Sequence, residues 1–588
     1  METSSTIPWL YIILAALVLT AIIILVFVRR KPTSEPEQEP YFVDPSEPGQ
    51  MYDVALYLKD NMTEQGTGVA FSGGGSRALS CALGQMRGLK HLNLLDQVKY
   101  ISGVSGGAWA SSLYTYLPES FSDDDFLGAV VENPKDLTLF YHDDTATALD
   151  RFTPGNLGHV PTRIGIVEML EKAIELWEAG VPENELWVTA VGELIFKPFE
   201  LFDPRNQKYF SLSDDWINKK ITPYNSTLTP EQFYVPREGR PYLIVNFNII
   251  PQFGEPQLLP MESTPTSAGI LEDFTGQGKE GNDIGGGFID PFAFGSEMHI
   301  PIEGQERVKT DAPFLRFSVH TMAGLSSAAF AEELETNSSF PSFIKGIIPR
   351  KQYWPVVDLD APAIDYHFAD GGNLEDTGVA ALLRRKLDSM IVFVNSSTPL
   401  EMDTDNNEVI VAPEIPPLFG YQPKTKNPDT GKWLPYTKFA DESLQKKEYV
   451  VKKNLQVFNY ADFDVLIKAL WNGFDSGGTA MCLQENMEVL TQAYLGVNSY
   501  QSKKILWVYN NEVSDWYDLL EDEIKIAIDT GIGFDNFPWY NTMTQLKLST
   551  SEVNLLAHLS CWNVISDSIS GHAPSVTNKS IFEGMFKH

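Results

Sequence analysis

Two strand–turn–helix units, placed back to back, constrain the fold of this chain more than any other feature. They occupy residues 68–116, which read GVAFSGGGSRALSCALGQMRGLKHLNLLDQVKYISGVSGGAWASSLYTY. In the first unit a short apolar strand leads into three consecutive glycines, 73–75, and a helix is predicted over about 78–89. Strands that alternate with helices in this way predict an α/β fold with a mostly parallel sheet. Both turns would then lie at the carboxyl ends of strands, where open α/β sheets bind ligands.

The second unit carries a candidate nucleophile. A predicted strand over 98–102 is followed by Gly103-Val104-Ser105-Gly106-Gly107 and a helix from about residue 108. A serine flanked by glycines between a strand and a helix is typical of a nucleophile elbow. The free N–H groups at the start of the following helix would face developing negative charge. Because the pattern is short, an ordinary structural turn remains the alternative when it is considered alone.

The glycine run in the first unit strengthens the catalytic interpretation. Three glycines after a strand leave backbone N–H groups unobstructed, which is the geometry of an oxyanion hole or of a phosphate cradle. The run lacks the Lys-Ser/Thr of a P-loop and is too compact for a dinucleotide fingerprint. A tight turn with close helix packing is the structural alternative.

These motifs form an ordered set that resembles a known family. SGGGSRAL followed by YISGVSGGAWASSLY resembles the catalytic core of the cytosolic phospholipases A2 and of the fungal lysophospholipases (phospholipases B), with patatin as a more distant relative. FIDPFAFGS at 288–296 and FADGGN at 368–373, followed by IVFVNSS at 391–397, resemble later segments of the fungal enzymes. The resemblance covers residues 68–399 in patches and implies a three-layer α/β/α, patatin-like fold.

The resemblance also implies the roles of individual residues. Ser105 is the expected nucleophile, and Asp370, in the D-G-G segment, is the expected base, since none of the nine histidines matches a family motif. Gly73, Gly74 and Gly75 would supply the oxyanion hole. Arg77 would lie near the substrate phosphate, as a guanidinium suits bidentate phosphate recognition, although a surface salt bridge is an equal alternative. Gly106 is predicted to contact substrate, and no cofactor or metal is expected.

The amino terminus predicts membrane attachment. Residues 7–28 contain no charged side chain and match the roughly 20 residues that span a bilayer as a helix. Arg29, Arg30 and Lys31 follow, and the positive-inside rule then predicts a single-pass protein whose catalytic domain is cytosolic. Five Asn-x-Ser/Thr triplets argue the other way, but such triplets also arise by chance.

Composition along the sequence predicts three parts of the chain. We expect a membrane anchor at 1–31, a Pro- and Glu-rich linker at 32–50 and a catalytic domain at 51–588, with a cap or structural layer inserted at 118–234. A formal net charge of −34 argues against nucleic acid as a partner. Three cysteines make no disulfide framework.

The sequence therefore predicts a membrane-anchored serine acyl hydrolase. Its substrates would be glycerophospholipids or lysophospholipids, cleaved through a Ser–Asp dyad and an acyl-enzyme. Two alternatives stay open at this point. One is a neutral lipase or lipid acyltransferase using the same site, and the other is an inactive, membrane-tethered lipid-binding protein, since a fold alone does not imply activity.

Overall fold

The computed structural model describes residues 50–58, 66–251, 257–336, 345–439, 453–542, 544–567 and 576–587. The strands are β1 Met51–Tyr57, β2 Thr67–Phe71, β3 Val98–Val104, β4 Tyr209–Phe210, β5 Phe233–Tyr234, β6 Tyr242–Ile250, β7 Leu259–Ser263, β8 Ala268–Asp273, β9 Gly285–Ile289, β10 His299–Pro301, β11 Arg307–Asp311, β12 Arg350–Tyr353, β13 Ile364–Asp370, β14 Ser389–Val394, β15 Glu401–Asp403, β16 Glu408–Ile410, β17 Met481–Val489 and β18 Tyr500–Tyr509. The α-helices are α1 Gly75–His91, α2 Gly106–Tyr116, α3 Asp123–Leu127, α4 Ile166–Glu178, α5 Leu186–Val191, α6 Asp214–Trp216, α7 Val319–Ser326, α8 Ala331–Thr336, α9 Val379–Arg384, α10 Tyr460–Asp475, α11 Ser514–Tyr517, α12 Asp522–Asp529, α13 Thr550–Ile565 and α14 Asn578–Met585.

One large mixed sheet forms the centre of the protein. Its strands run in the order β10-β11-β1-β9-β8-β7-β6-β3-β2-β14-β18-β17, and β13 pairs with both β12 and β6. Only the central run β6-β3-β2-β14-β18 is parallel, while the remaining pairs are antiparallel. The expectation of a mostly parallel sheet is therefore wrong. Between β6 and β9 the described residues contain no α-helix, and antiparallel pairing needs no crossover helix.

The parallel centre is buried on both faces, as is usual for parallel strands. Val69 and Phe71 of β2 point into a core shared with α1, α2 and α13. Ala70, between them, points into a second core shared with α9 and α10. Alternate residues of one strand thus serve two hydrophobic cores, with helices on both faces of a mixed α/β fold.

The segment 118–234 packs onto this framework. It carries α3 to α6 and the two-stranded sheet β4-β5, and its apolar side chains join the core on the α1 face. Trp187 Nε1 donates a hydrogen bond of 2.8 Å to the carbonyl of Gly324 in α7. The segment therefore supports α7, while its role as a cap over the site stays a prediction.

The predicted anchor at 1–31, including the helix at 7–28, and residues 32–49 of the linker lie outside the described residues. In the parts of the chain that the structure describes, every helix is too short or too polar to cross a bilayer.

Candidate active site

Ser105 lies in the sharp turn between β3 and α2. Its φ of 51° and ψ of −120° are strained for a residue with a side chain. A Cβ built on Gly106 would lie 2.0 Å from the carbonyl oxygen of Gly75. The turn and the glycine loop therefore touch at a point where only glycine fits, which explains the glycine after the serine.

Asp370 lies beside Ser105, because its strand β13 pairs with β6, which is the neighbour of β3. It is the last residue of β13, and Ser105 Oγ donates a hydrogen bond of 2.7 Å to Asp370 Oδ2. The other carboxylate oxygen, Oδ1, accepts the N–H of Gly372 at 2.7 Å. Both side chains are buried, with residue exposures of 8% and 3%. The structure thus brings the two predicted catalytic residues into direct contact, and their catalytic roles stay predictions.

Three polar residues that the sequence analysis missed support this pair. Ser105 N–H donates to Ser326 Oγ of α7 at 3.0 Å, and Ser326 Oγ donates to the carbonyl of Asn246 at 2.6 Å. Asn248, two residues further along β6, donates to the carbonyl of Asp370 at 2.5 Å. Two asparagines at i and i+2 in an otherwise apolar strand lie on the same face of that strand. This pattern in the sequence could have indicated a polar site beside β6.

The predicted oxyanion loop contacts several other segments. Gly73 N–H donates to the carbonyl of Asp376 at 3.0 Å, so this N–H has a partner within the fold. Thr542 Oγ1 donates to the carbonyl of Gly74 at 2.8 Å. Gly74 has φ 124° and Gly75 has φ 53°, both in the region that favours glycine. The loop is therefore anchored from two sides, and the oxyanion role of Gly73–Gly75 stays a prediction.

Arg77 is buried beside the glycine loop. Its Nε donates to the carbonyl of Asn395 at 2.8 Å, and its Nη1 donates to the carbonyl of Tyr540 at 2.6 Å. Burial lowers the pKa of Arg77, while nearby acidic groups including Asp376 raise it. Arg77 thus ties the glycine loop to two distant segments, and its role in phosphate binding stays a prediction.

Two histidines lie on the elements that carry Asp370 and Ser326. His367, on the same strand as Asp370, lies with Nδ1 2.6 Å from Glu335 Oε2. Burial lowers the pKa of His320 to about 3, so that imidazole is neutral. Among the described residues no three His, Cys, Asp or Glu side chains are grouped as a metal ion would require.

This chain shares short stretches of sequence with known proteins. No family model matches it. The chain is 57% identical to human cytosolic phospholipase A2 zeta over 44 residues, which is 7% of this chain and 5% of that protein. It is 60% identical to mouse cytosolic phospholipase A2 gamma over 45 residues, which is 8% of each chain. The matches thus span less than a tenth of these relatives.

Solved structures give a broad but distant likeness. Human GIVD cytosolic phospholipase A2 aligns with 89% of this chain and 60% of its own, at 13% identity and a TM-score of 0.43. The short sequence matches confirm the predicted resemblance to the cytosolic phospholipases A2.

The predicted localisation needs correction. The matched relatives are named cytosolic enzymes, and the described residues contain no helix that could span a membrane. These two findings contradict the single-pass membrane protein expected from the amino terminus, and the segment that carried that expectation lies outside the described residues.

Proposed function

We propose that this protein is a phospholipase A2-like serine acyl hydrolase that cleaves fatty-acyl esters of phospholipids or lysophospholipids. The observation that carries the proposal is the 2.7 Å hydrogen bond from Ser105 Oγ to Asp370 Oδ2 in a strained elbow beside a triple-glycine loop. A nucleophile within hydrogen-bond reach of its base, next to backbone N–H groups that can stabilise an oxyanion, is the arrangement that acyl transfer requires.

The first half of the reaction forms an acyl-enzyme. As Ser105 Oγ attacks the ester carbonyl carbon, its proton passes to Asp370 Oδ2. Negative charge develops on the carbonyl oxygen, and the N–H groups of Gly74 and Gly75 are the best candidates to stabilise it, because Gly73 N–H already donates to Asp376. Collapse of the tetrahedral intermediate breaks the ester C–O bond, and the leaving alcohol takes the proton from Asp370.

The second half restores the enzyme. Water attacks the acyl carbon of the Ser105 ester and gives a proton to Asp370. Collapse of this second intermediate releases the fatty acid and returns the proton to Ser105 Oγ. If an alcohol took the place of water, the same steps would transfer the acyl group instead.

One observation keeps a neutral ester as a second candidate substrate. Two N–H groups of Arg77 already donate to the carbonyls of Asn395 and Tyr540, which reduces what the guanidinium can offer to a phosphate. Uncharged acylglycerols would not need that contact. Phospholipid and neutral substrates therefore belong in the same assay.

The test combines two variants with a lipid panel. Purified wild type should release fatty acid from phosphatidylcholine or lysophosphatidylcholine, and Ser105→Ala should lose both this activity and labelling by a fluorophosphonate. Asp370→Asn keeps the shape but removes the base, so turnover should fall about 100-fold or more. Full activity in Ser105→Ala would exclude the proposed nucleophile, while cleavage restricted to mono- and diacylglycerol would favour the neutral lipase.

A further inference from the structure

A third carboxylate borders the Ser105–Asp370 pair. A Cβ built on Gly73 would lie 2.2 Å from Asp376 Oδ1 and 3.2 Å from Ser105 Cβ. A Cβ built on Gly372 would lie 2.2 Å from the same Oδ1 and 3.2 Å from Asp370 Oδ1. The Asp376 carboxylate therefore fills the space between the two glycine turns, next to both members of the pair.

The position of Asp376 is fixed by its backbone. Its carbonyl accepts Gly73 N–H at 3.0 Å, which joins the D-G-G segment to the glycine loop. Any side chain at Gly73 or Gly372 would collide with the Asp376 carboxylate. The two glycines thus make room for an acidic group that faces the base.

We propose that Asp376 is a positioning residue whose negative charge sets the pH range in which Asp370 accepts the proton of Ser105. This inference rests on the proposed function. Two carboxylates that border the same built Cβ position on Gly372 repel each other, so an ionised Asp376 makes ionised Asp370 less favourable and Asp370 a stronger base. An ordinary aspartate is a weak base for a serine hydroxyl, and catalysis improves as the pKa of the base approaches the working pH.

Other charged groups surround the two carboxylates. Arg77, from α1, interacts electrostatically with Cys81 and Asp376, and also with Glu414 and Tyr509. The neighbouring Glu375 accepts the N–H groups of Thr377 and Ala380 instead, at 2.8 and 3.3 Å. Burial raises the pKa of Glu375. His367 Nδ1 is within hydrogen-bond distance of Glu335 Oε2. These groups are the same in wild type and in a variant at Asp376, so a comparison of the two isolates the Asp376 charge.

The experiment is the pH dependence of kcat/KM for a short-chain p-nitrophenyl ester, which carries no charge at the reacting end. In Asp376→Asn the side chain keeps its shape and loses its charge. We expect the midpoint of the acid limb to move to lower pH by about one unit. Asp376→Ser, a second neutral variant, should shift the midpoint in the same direction, and Asp376→Glu should stay closer to wild type.

Asp388→Asn is the matched control, because it removes the same charge outside the site. Asp388 pairs with Lys503 there, at 2.9 Å. Its acid limb should coincide with that of wild type. Far-UV circular dichroism and a cooperative urea transition show that each variant is folded. An unmoved or raised midpoint in the folded neutral variants overturns the inference, as does loss of hydrolysis at every pH. The proposed function is decided separately, by Ser105→Ala, Asp370→Asn and the lipid panel, so its failure is distinguishable from failure of this inference.

Discussion

At the scale of single residues, the strained backbone of Ser105 is held by Ser326. Ser326 Oγ accepts the N–H of Ser105 at 3.0 Å and donates a hydrogen bond to the carbonyl of Asn246. In Ser326→Ala this buried N–H loses its partner, at a cost of about 1–3 kcal/mol. We expect kcat to fall about tenfold with little change in KM, because the change acts on the backbone that holds Ser105 Oγ against Asp370.

Ser327→Ala is the control, since Ser327, directly after α7, donates through Oγ to the carbonyl of Ala323 in that helix at 2.9 Å. It should retain wild-type kcat, measured by steady-state hydrolysis of the same ester. Equal losses in both variants would mean that α7 acts only through its general packing.

At the scale of elements, α1 depends on its contact with α13. The two helices cross where a Cβ built on Gly84 would lie 2.0 Å from the carbonyl oxygen of Ala557. Alanine favours helices over glycine by about 1 kcal/mol, but in Gly84→Ala the helices must separate. Overpacking of this kind typically costs about 1–3 kcal/mol or more. We therefore expect Gly84→Ala to lower the urea midpoint and, because α1 begins at the glycine loop, also kcat.

Gly584, in α14, provides the contrast, because a Cβ built there has no neighbour within 4 Å. Gly584→Ala should leave the urea midpoint unchanged or raise it. A destabilised Gly584→Ala together with an unaffected Gly84→Ala would refute the packing argument.

At the scale of the whole molecule, a buried histidine couples stability to pH. The pKa of His558 lies well below 6.5 because burial disfavours the charged imidazole, and the positive charge of Arg87 acts in the same direction. The unfolded chain binds a proton at this position as the pH falls below about 6.5, whereas the folded protein does not. The free energy of unfolding should therefore fall as the pH is lowered from 7.5 to 6.

In His558→Gln, an amide can still accept from Arg87 but does not titrate. The loss of stability between pH 7.5 and 6, measured by urea unfolding, should be smaller than in wild type by about 0.8 kcal/mol. Asp290 has the opposite effect below that range, since burial raises its pKa to about 6. Parallel curves for the two proteins would exclude His558 as a source of the pH dependence.

The sequence by itself determined the local chemistry of this protein. The elbow at Ser105, the glycine loop and the D-G-G turn all follow from residues whose backbone requirements act over a few positions. The predicted strand over 98–102 lies within Val98–Val104, and the helix over 78–89 lies within Gly75–His91. Such features are readable because turn chemistry and hydrophobic period are local.

Only the tertiary structure decided what surrounds those features. The antiparallel strands on either side of the parallel centre depend on which strands pair, and no local sequence pattern predicts that pairing. Ser105 meets Asp370 across 265 positions and Ser326 across 221. Asp376 faces the pair only because two glycine turns from distant parts of the chain enclose it. These contacts arise when buried polar groups must find partners as the core closes, and that requirement is met by the whole fold rather than by neighbours in the sequence.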